Sequence, residues 1–297
     1  MGTPDFAIKP LERLYGDGHD IVGVFTQPDK PRSRGMKVVS SPVKELAITR
    51  GTPVFQPTTL RDGSALDVLS KLGCELIVVV AYGKLLPLKV LELPPLGCIN
   101  IHGSLLPKYR GAAPIQWAVL NGEKETGVTS MYMAEELDAG DMLYKKRTII
   151  GENETAGDVY TRLSILSAEV LGETIDAISR GEVVREPQNH AEATLAPPLK
   201  KDMSPIDWFD PADKIKNKVR GLNPWPVATA EFSGITYKVF SVEISDRKTT
   251  NTPGEIISAG SDGLAVACAD RALVIKELQA PGGKRMMAAD YLRGHKI

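Results

Sequence analysis

The run CINIH, residues 98–102, closes a short apolar stretch with an asparagine and a histidine two positions apart. In an extended strand, residues i and i+2 point to the same face, so Asn100 and His102 present a carboxamide and an imidazole side by side. A carboxamide N–H can donate to an oxyanion as it forms. An imidazole can give or take a proton near neutrality. Asp138, in LDAGD, is the carboxylate that would complete such a set by swinging next to His102. Plainer readings stand beside these. Asn100 could close a turn, His102 could be a hydrogen-bonded core histidine, and Asp and Gly are ordinary hairpin residues. What favours chemistry at 100 and 102 is their position at a strand end, followed by the small residues of GSLLPKYRGAAP.

Those side chains need a scaffold that opens strand ends to a ligand. In residues 1–110 the segments PDFAIKPLERLY, SPVKELAITRG and SALDVLSKLG carry helical spacing, with a Ser-Pro start or a glycine stop on the latter two. The segments DIVGVFT, PVFQ, ELIVVVA and GCINIH read as strands between them, and the continuous β-branched run ELIVVVA suits burial on both faces. This alternation predicts an α/β domain with a parallel sheet and helices on both sides. Right-handed crossovers then put every strand's carboxyl end on one edge, where ligands bind. TGVTSMYM and MLYKKRTII predict two more strands joined by AEELDAGD, and residues 154–181 a long helix. Residues 186–206 are Pro-rich and aperiodic and read as a linker. A helix at PADKIKNKVRG and about five short, regularly spaced strands follow, which predicts a small β-barrel. The domains expected are therefore 1–185, a linker at 186–206, and 207–297.

The chain has 297 residues, 42% hydrophobic and 25% charged, with a net charge of −1. Those values describe an ordinary globular protein with no global field toward nucleic acid or membrane. Residues 200–297 nevertheless carry a net +3 against −4 for the remainder. Cys74, Cys98 and Cys268 make no metal spacing and read as reduced thiols of a cytoplasmic protein. No apolar run approaches the ~20 residues of a membrane span, and Asp5, Lys9, Glu12, Arg13 and Asp17 interrupt any secretory signal. The loop TQPDKPRSRGMKVVSSPVK is basic: residues 28–50 hold six Lys/Arg and two Asp/Glu. It is either a solvated surface loop or a basic finger, with Lys30, Arg32, Arg34 and Lys37, for a phosphate backbone. GDGHD at 16–20 is not a dinucleotide fingerprint, because it follows a helix and precedes a strand.

The motifs GTPDFA, VFTQPDKPRSRG, VVVAYGKLLP, GCINIHGSLLPKYRGAAPIQ, LDAGDML, GLNPWP and GGKRMMAADYL together resemble the folate-dependent formyltransferase family over nearly the whole chain. The resemblance implies a Rossmann-like domain followed by an OB-like barrel. It implies transfer of a formyl group from 10-formyltetrahydrofolate to the α-amino group of methionine on initiator tRNA, by a monomer without metal. It places the catalytic roles on Asn100, His102 and Asp138. The pterin falls to Leu85, Leu86 and the backbone of Glu135, Glu136 and Leu137, with Ser104, Leu105, Leu106 and Pro107 along the cofactor. Arg34 matches the key loop arginine for tRNA, and Lys200, Lys201, Lys284 and Arg285 are further tRNA candidates. Glycinamide ribonucleotide or an amino sugar is the alternative acceptor, and a non-catalytic tRNA- or folate-binding module the alternative of another class. Family members carry an apolar strand directly before GTPDFA, whereas this sequence reaches that motif at Met1. A central strand is therefore expected to be missing, leaving its neighbours without partners.

Overall fold

The computed structural model describes residues 1–32, 37–246 and 248–297. The chain divides into two compact units. One comprises Met1–Pro114, Glu125–Thr148 and Tyr160–Pro197; the other comprises Ile115–Lys124, Ile149–Val159 and Pro198–Ile297. Residues 186–197, expected as linker, thus belong to the first unit.

In that unit the strands are β1 (Val24–Phe25), β2 (Lys30–Arg32), β3 (Lys37–Val39), β4 (Val54–Phe55), β5 (Ile77–Val79), β6 (Cys98–His102), β7 (Arg110–Gly111), β8 (Glu125–Tyr132), β9 (Met142–Ile149) and β10 (Leu195–Ala196). The expected parallel pairs are present: β1 lies beside β4, and β5 beside β6 with Ile77 opposite Cys98. β8 joins β6 antiparallel, giving the order β5-β6-β8-β9. The basic loop forms the antiparallel pair β2–β3; Arg34 lies outside the described residues. The helices follow their sequence signals. Pro42–Thr49 starts behind Ser41, whose Oγ accepts from Lys44 N at 3.2 Å, and Ser64–Leu72 stops at Gly73 with φ +61°. Phe25, Leu69, Ile77, Val79, Tyr82, Val90 and Cys98 pack as one buried cluster. Burial pushes the Tyr82 hydroxyl and the Cys98 thiol each up to about 12.

Among the described residues, Met1 and Gly2 lie between β1 and β5. Gly2 N donates to Phe25 O at 3.0 Å on one side, and Met1 O accepts from Val80 N at 2.9 Å on the other. The Met1 ammonium donates to Val78 O at 2.6 Å. Beyond it lies a cavity of about 610 Å³ lined by Val22, Val24, Leu69, Ile77 and Ile175 among others. The Met1 ammonium lies at the mouth of this cavity. Desolvation lowers the Met1 ammonium from 8.0 to about 6.

The second unit holds β11 (Ala228–Phe232), β12 (Ile235–Ile244), β13 (Ile256–Gly260), β14 (Gly263–Ala267), β15 (Ala272–Gln279) and β16 (Met286–Met287). They form one antiparallel sheet in the order β11-β12-β15-β14-β13, with β16 added to β15. Register shifts around Ser241 bend β12, as a barrel-like strand requires. The helix Ala212–Gly221 contributes Ile215 and Val219 to a core with Tyr237, Leu264, Leu273 and Ile275. Among the described residues, no helix is long and apolar enough to cross a membrane.

Candidate active site

β6 is held by β5 on one side and β8 on the other, so its backbone is paired along both edges. Ile99 and Ile101 are buried. The opposite face carries Asn100 and His102, as alternation requires. Asp138 reaches them from the turn between β8 and β9. Its Oδ1 accepts from Asn100 Nδ2 at 3.3 Å. Its Oδ2 accepts from Gly111 N at 2.8 Å and lies 3.7 Å from His102 Nδ1. The His102 and Asp138 side chains are only 7% and 10% exposed, so their interaction is weakly screened.

His102 Nε2 lies 2.8 Å from Tyr109 O. A carbonyl oxygen only accepts, so Nε2 carries a hydrogen in either charge state. Nδ1 is left as the nitrogen that exchanges a proton, and it is the one facing Asp138. The tautomer is thus set by a main-chain group, Tyr109, whose φ is +63°. Its own N–H donates to Thr194 Oγ1 at 2.9 Å, and the next residue's N–H, Arg110 N, to Thr194 O at 2.8 Å. β7 and β10 pair in parallel at this point.

Tyr109, Gly111 and Thr194 were not foreseen, nor were Arg110 and Gln188, which are buried beside the same turn. Their contribution comes through backbone groups or contacts between distant segments, which leave no periodic trace. The sole cue is a run of polar side chains, Gln188 to His190, inside a stretch read as linker.

Residues 1–175 match the formyl transferase family, and residues 198–296 match the formyl transferase C-terminal domain. The methionyl-tRNA formyltransferase of Alkaliphilus oremlandii is 50% identical over 297 residues, covering 100% of this chain and 96% of that protein. This chain belongs to the methionyl-tRNA formyltransferase family. The enzyme of that name from Clostridioides difficile is 47% identical over the same 100% and 96%. Solved structures add the fold. HypX from Aquifex aeolicus, in complex with tetrahydrofolic acid, superposes with a TM-score of 0.61 at 19% identity, over 91% of this chain and 46% of that one. An N-formyltransferase from Helicobacter canadensis, in complex with folinic acid and dTDP-3-aminofucose, gives 0.67 at 16%, over 92% and 96%.

For this formyltransferase chain, the remaining expected residues fall into two groups. Ser104 and Leu106 are buried and shape the loop after β6: Ser104 Oγ donates to Lys108 O at 2.6 Å, and Leu106 N to Thr129 Oγ1 at 3.1 Å. Leu86 is buried as well, while Leu105 and Pro107 are half-buried. Leu85 and Leu137 are instead 57% and 50% exposed, and Glu135 and Glu136 are exposed beside Leu137. In the second unit, Lys200, Lys201 and Lys284 are exposed. Arg285 pairs with Glu277 and lies 4.6 Å over the Phe240 ring. Lys30, Arg32 and Lys37 belong to β2 and β3.

Proposed function

We propose that this chain transfers the formyl group of 10-formyltetrahydrofolate to the α-amino group of methionyl initiator tRNA, with Asn100, His102 and Asp138 as its catalytic residues. The reaction class rests on likeness along the whole chain to methionyl-tRNA formyltransferases. The observation that carries the site assignment is the convergence of Asn100 Nδ2 and His102 Nδ1 on the two oxygens of Asp138.

The amine nitrogen attacks the formyl carbon, and negative charge gathers on the formyl oxygen. Asn100 Nδ2–H and His102 Nδ1–H are the donors for that oxygen, in a site with little water to compete. Asp138 holds both donors in place and accepts the proton leaving the amine. Collapse breaks the bond between the formyl carbon and N10, and that nitrogen takes up, as it leaves, the proton that Asp138 accepted from the amine, so the transfer is proton-neutral. Leu85 and Leu137 offer apolar surface for a flat heteroaromatic ring, with the backbone of residues 135–137 for its polar edge. Arg34, Lys30, Arg32 and Lys37, with Lys200, Lys201, Lys284 and Arg285, supply positive charge for the tRNA backbone.

The test is transfer from 10-formyltetrahydrofolate to methionyl-tRNA, compared with free methionine, glycinamide ribonucleotide and an amino sugar nucleotide. Turnover with methionyl-tRNA well above the rest supports the reading. Preference for either small acceptor would replace it.

A further inference from the structure

We infer that Gln188 is a positioning residue that sets where Asp138 stands against His102. This rests on the reading of Asp138 as the catalytic carboxylate. Gln188 is 6% exposed, and every hydrogen-bonding group of its amide is engaged. Nε2 donates to Asp138 O and to Gly140 O, both at 2.8 Å. Oε1 accepts from Arg110 Nε at 3.1 Å and Nη2 at 2.7 Å. A guanidinium only donates and carbonyls only accept, so the amide has a single allowed orientation.

The geometry gives this amide leverage. Asp138 is a non-glycine residue at φ +49°, a conformation that needs outside support. Gly111 N holds its side chain, and Gln188 holds its main chain. The far end of Gln188 grips Arg110, which lies between Tyr109, whose carbonyl fixes His102, and Gly111, whose N–H fixes Asp138. One buried amide therefore ties the Asp138 turn to the Tyr109–Gly111 segment, which orients both partners. The charged or titratable groups on the other side of Arg110 are Glu136 at 3.3 Å and His190 Nδ1 at 3.4 to 3.5 Å. They face the guanidinium rather than the Gln188 donors.

Gln188→Glu separates the two ends of the contact. A carboxylate still accepts from Arg110, so the buried cation keeps a partner, but it has no hydrogen for the carbonyls of Asp138 and Gly140. Gln188→Asn serves as the second variant, keeping the amide and shortening its reach by one methylene. We expect each to lower kcat by about tenfold or more (about 1.4 kcal/mol in barrier). KM for both substrates should stay near the parent, because Gln188 acts on the placement of Asp138 and not on either substrate, and the unpaired carbonyls should lower Tm only modestly. Introduced into Asp138→Ala, Gln188→Glu should cost less than about twofold more, since its effect runs through a carboxylate already removed. Turnover of Gln188→Glu and Gln188→Asn within about twofold of the parent, with Asp138→Ala inactive, overturns the inference and leaves the catalytic reading standing. Losses that multiply in the double variant also overturn it, as does a fall in Tm without a fall in kcat. Full turnover of Asp138→Ala removes the catalytic reading and the inference together.

Discussion

In the first unit, β6 is paired on both edges, by β5 in parallel and β8 antiparallel. β1 has β4 on one edge, and on the other only Met1 and Gly2 before a cavity of about 610 Å³. Asn100 and His102 thus stand on a strand with a neighbour on each edge, β5 as far as Asn100 and β8 as far as His102. If Asn100 and His102 carry the proposed chemistry, the contrast teaches that chemistry and stability draw on different parts of one sheet. Substitutions should therefore separate them.

The largest effect should come from filling the cavity beside Met1. Six to eight apolar, β-forming residues added before Met1 would occupy the cavity and move the ammonium out of it. At ~1.5–3 kcal/mol per buried aliphatic side chain, less ~1–2 kcal/mol per residue for backbone ordering, the gain is about 4–5 kcal/mol. Denaturant titration should read that gain while kcat moves by no more than about twofold. Unchanged stability would mean that the space is not a strand site, and a large rise in kcat would erase the separation.

Asn100→Ala or His102→Ala tests the other side. Each removes one donor from the developing oxyanion, worth ~2.7–4 kcal/mol, so turnover should fall about a hundredfold or more. Thermal unfolding and tRNA binding should stay near the parent. A variant that loses stability in step with activity would show that the paired half is not the robust one.

Next is a pH dependence localised at Met1. The Met1 ammonium titrates near 6 in the folded chain against 8.0 for a free terminus. Between those values the unfolded chain binds more protons, so stability rises with pH. The contribution is complete above about pH 8 and is lost as pH falls to about 6, by up to about 2.7 kcal/mol for two units at ~1.36 each. Unfolding midpoints on both sides of that window should differ accordingly. Formylating or acetylating the terminus should abolish the difference; if the pH effect survives blocking, Met1 is not its source.

The smallest effect is expected from the basic loop. Arg34→Ala should weaken use of methionyl-tRNA and flatten its salt dependence by about one phosphate contact, with folate affinity held. Equal losses toward folate and tRNA would assign the basic loop to the formyl donor instead.

Local pattern made β6, the capped helices behind Ser41 and before Gly73, and the shared face of Asn100 and His102 readable in the sequence. Those features depend on periods of two or 3.6 and on residues with fixed backbone preferences. Asp138 could be named but not placed, because its partners are 27 to 38 residues away in sequence. The contribution of residues 186–197 was invisible. β10 is two residues long, too short for any period, and it pairs with β7 some 85 residues earlier. Proline-rich, aperiodic sequence is the usual mark of a connector, and here it folds back onto the Tyr109–Gly111 segment beside His102 and Asp138.

That return path decides where the protein can be cut. The C-terminal domain match begins at residue 198, and the first compact unit ends at Pro197. A fragment stopped at residue 185 would part the Tyr109–Gly111 segment from Gln188, Thr194 and Ala196. His102 would be left beside a Tyr109 no longer anchored by Thr194, and Arg110 would be buried without its Gln188 acceptor. A fragment carried through Pro197 keeps them all. Chimeras that exchange the C-terminal domain between relatives should join at that proline, although the composition of the sequence points a dozen residues earlier.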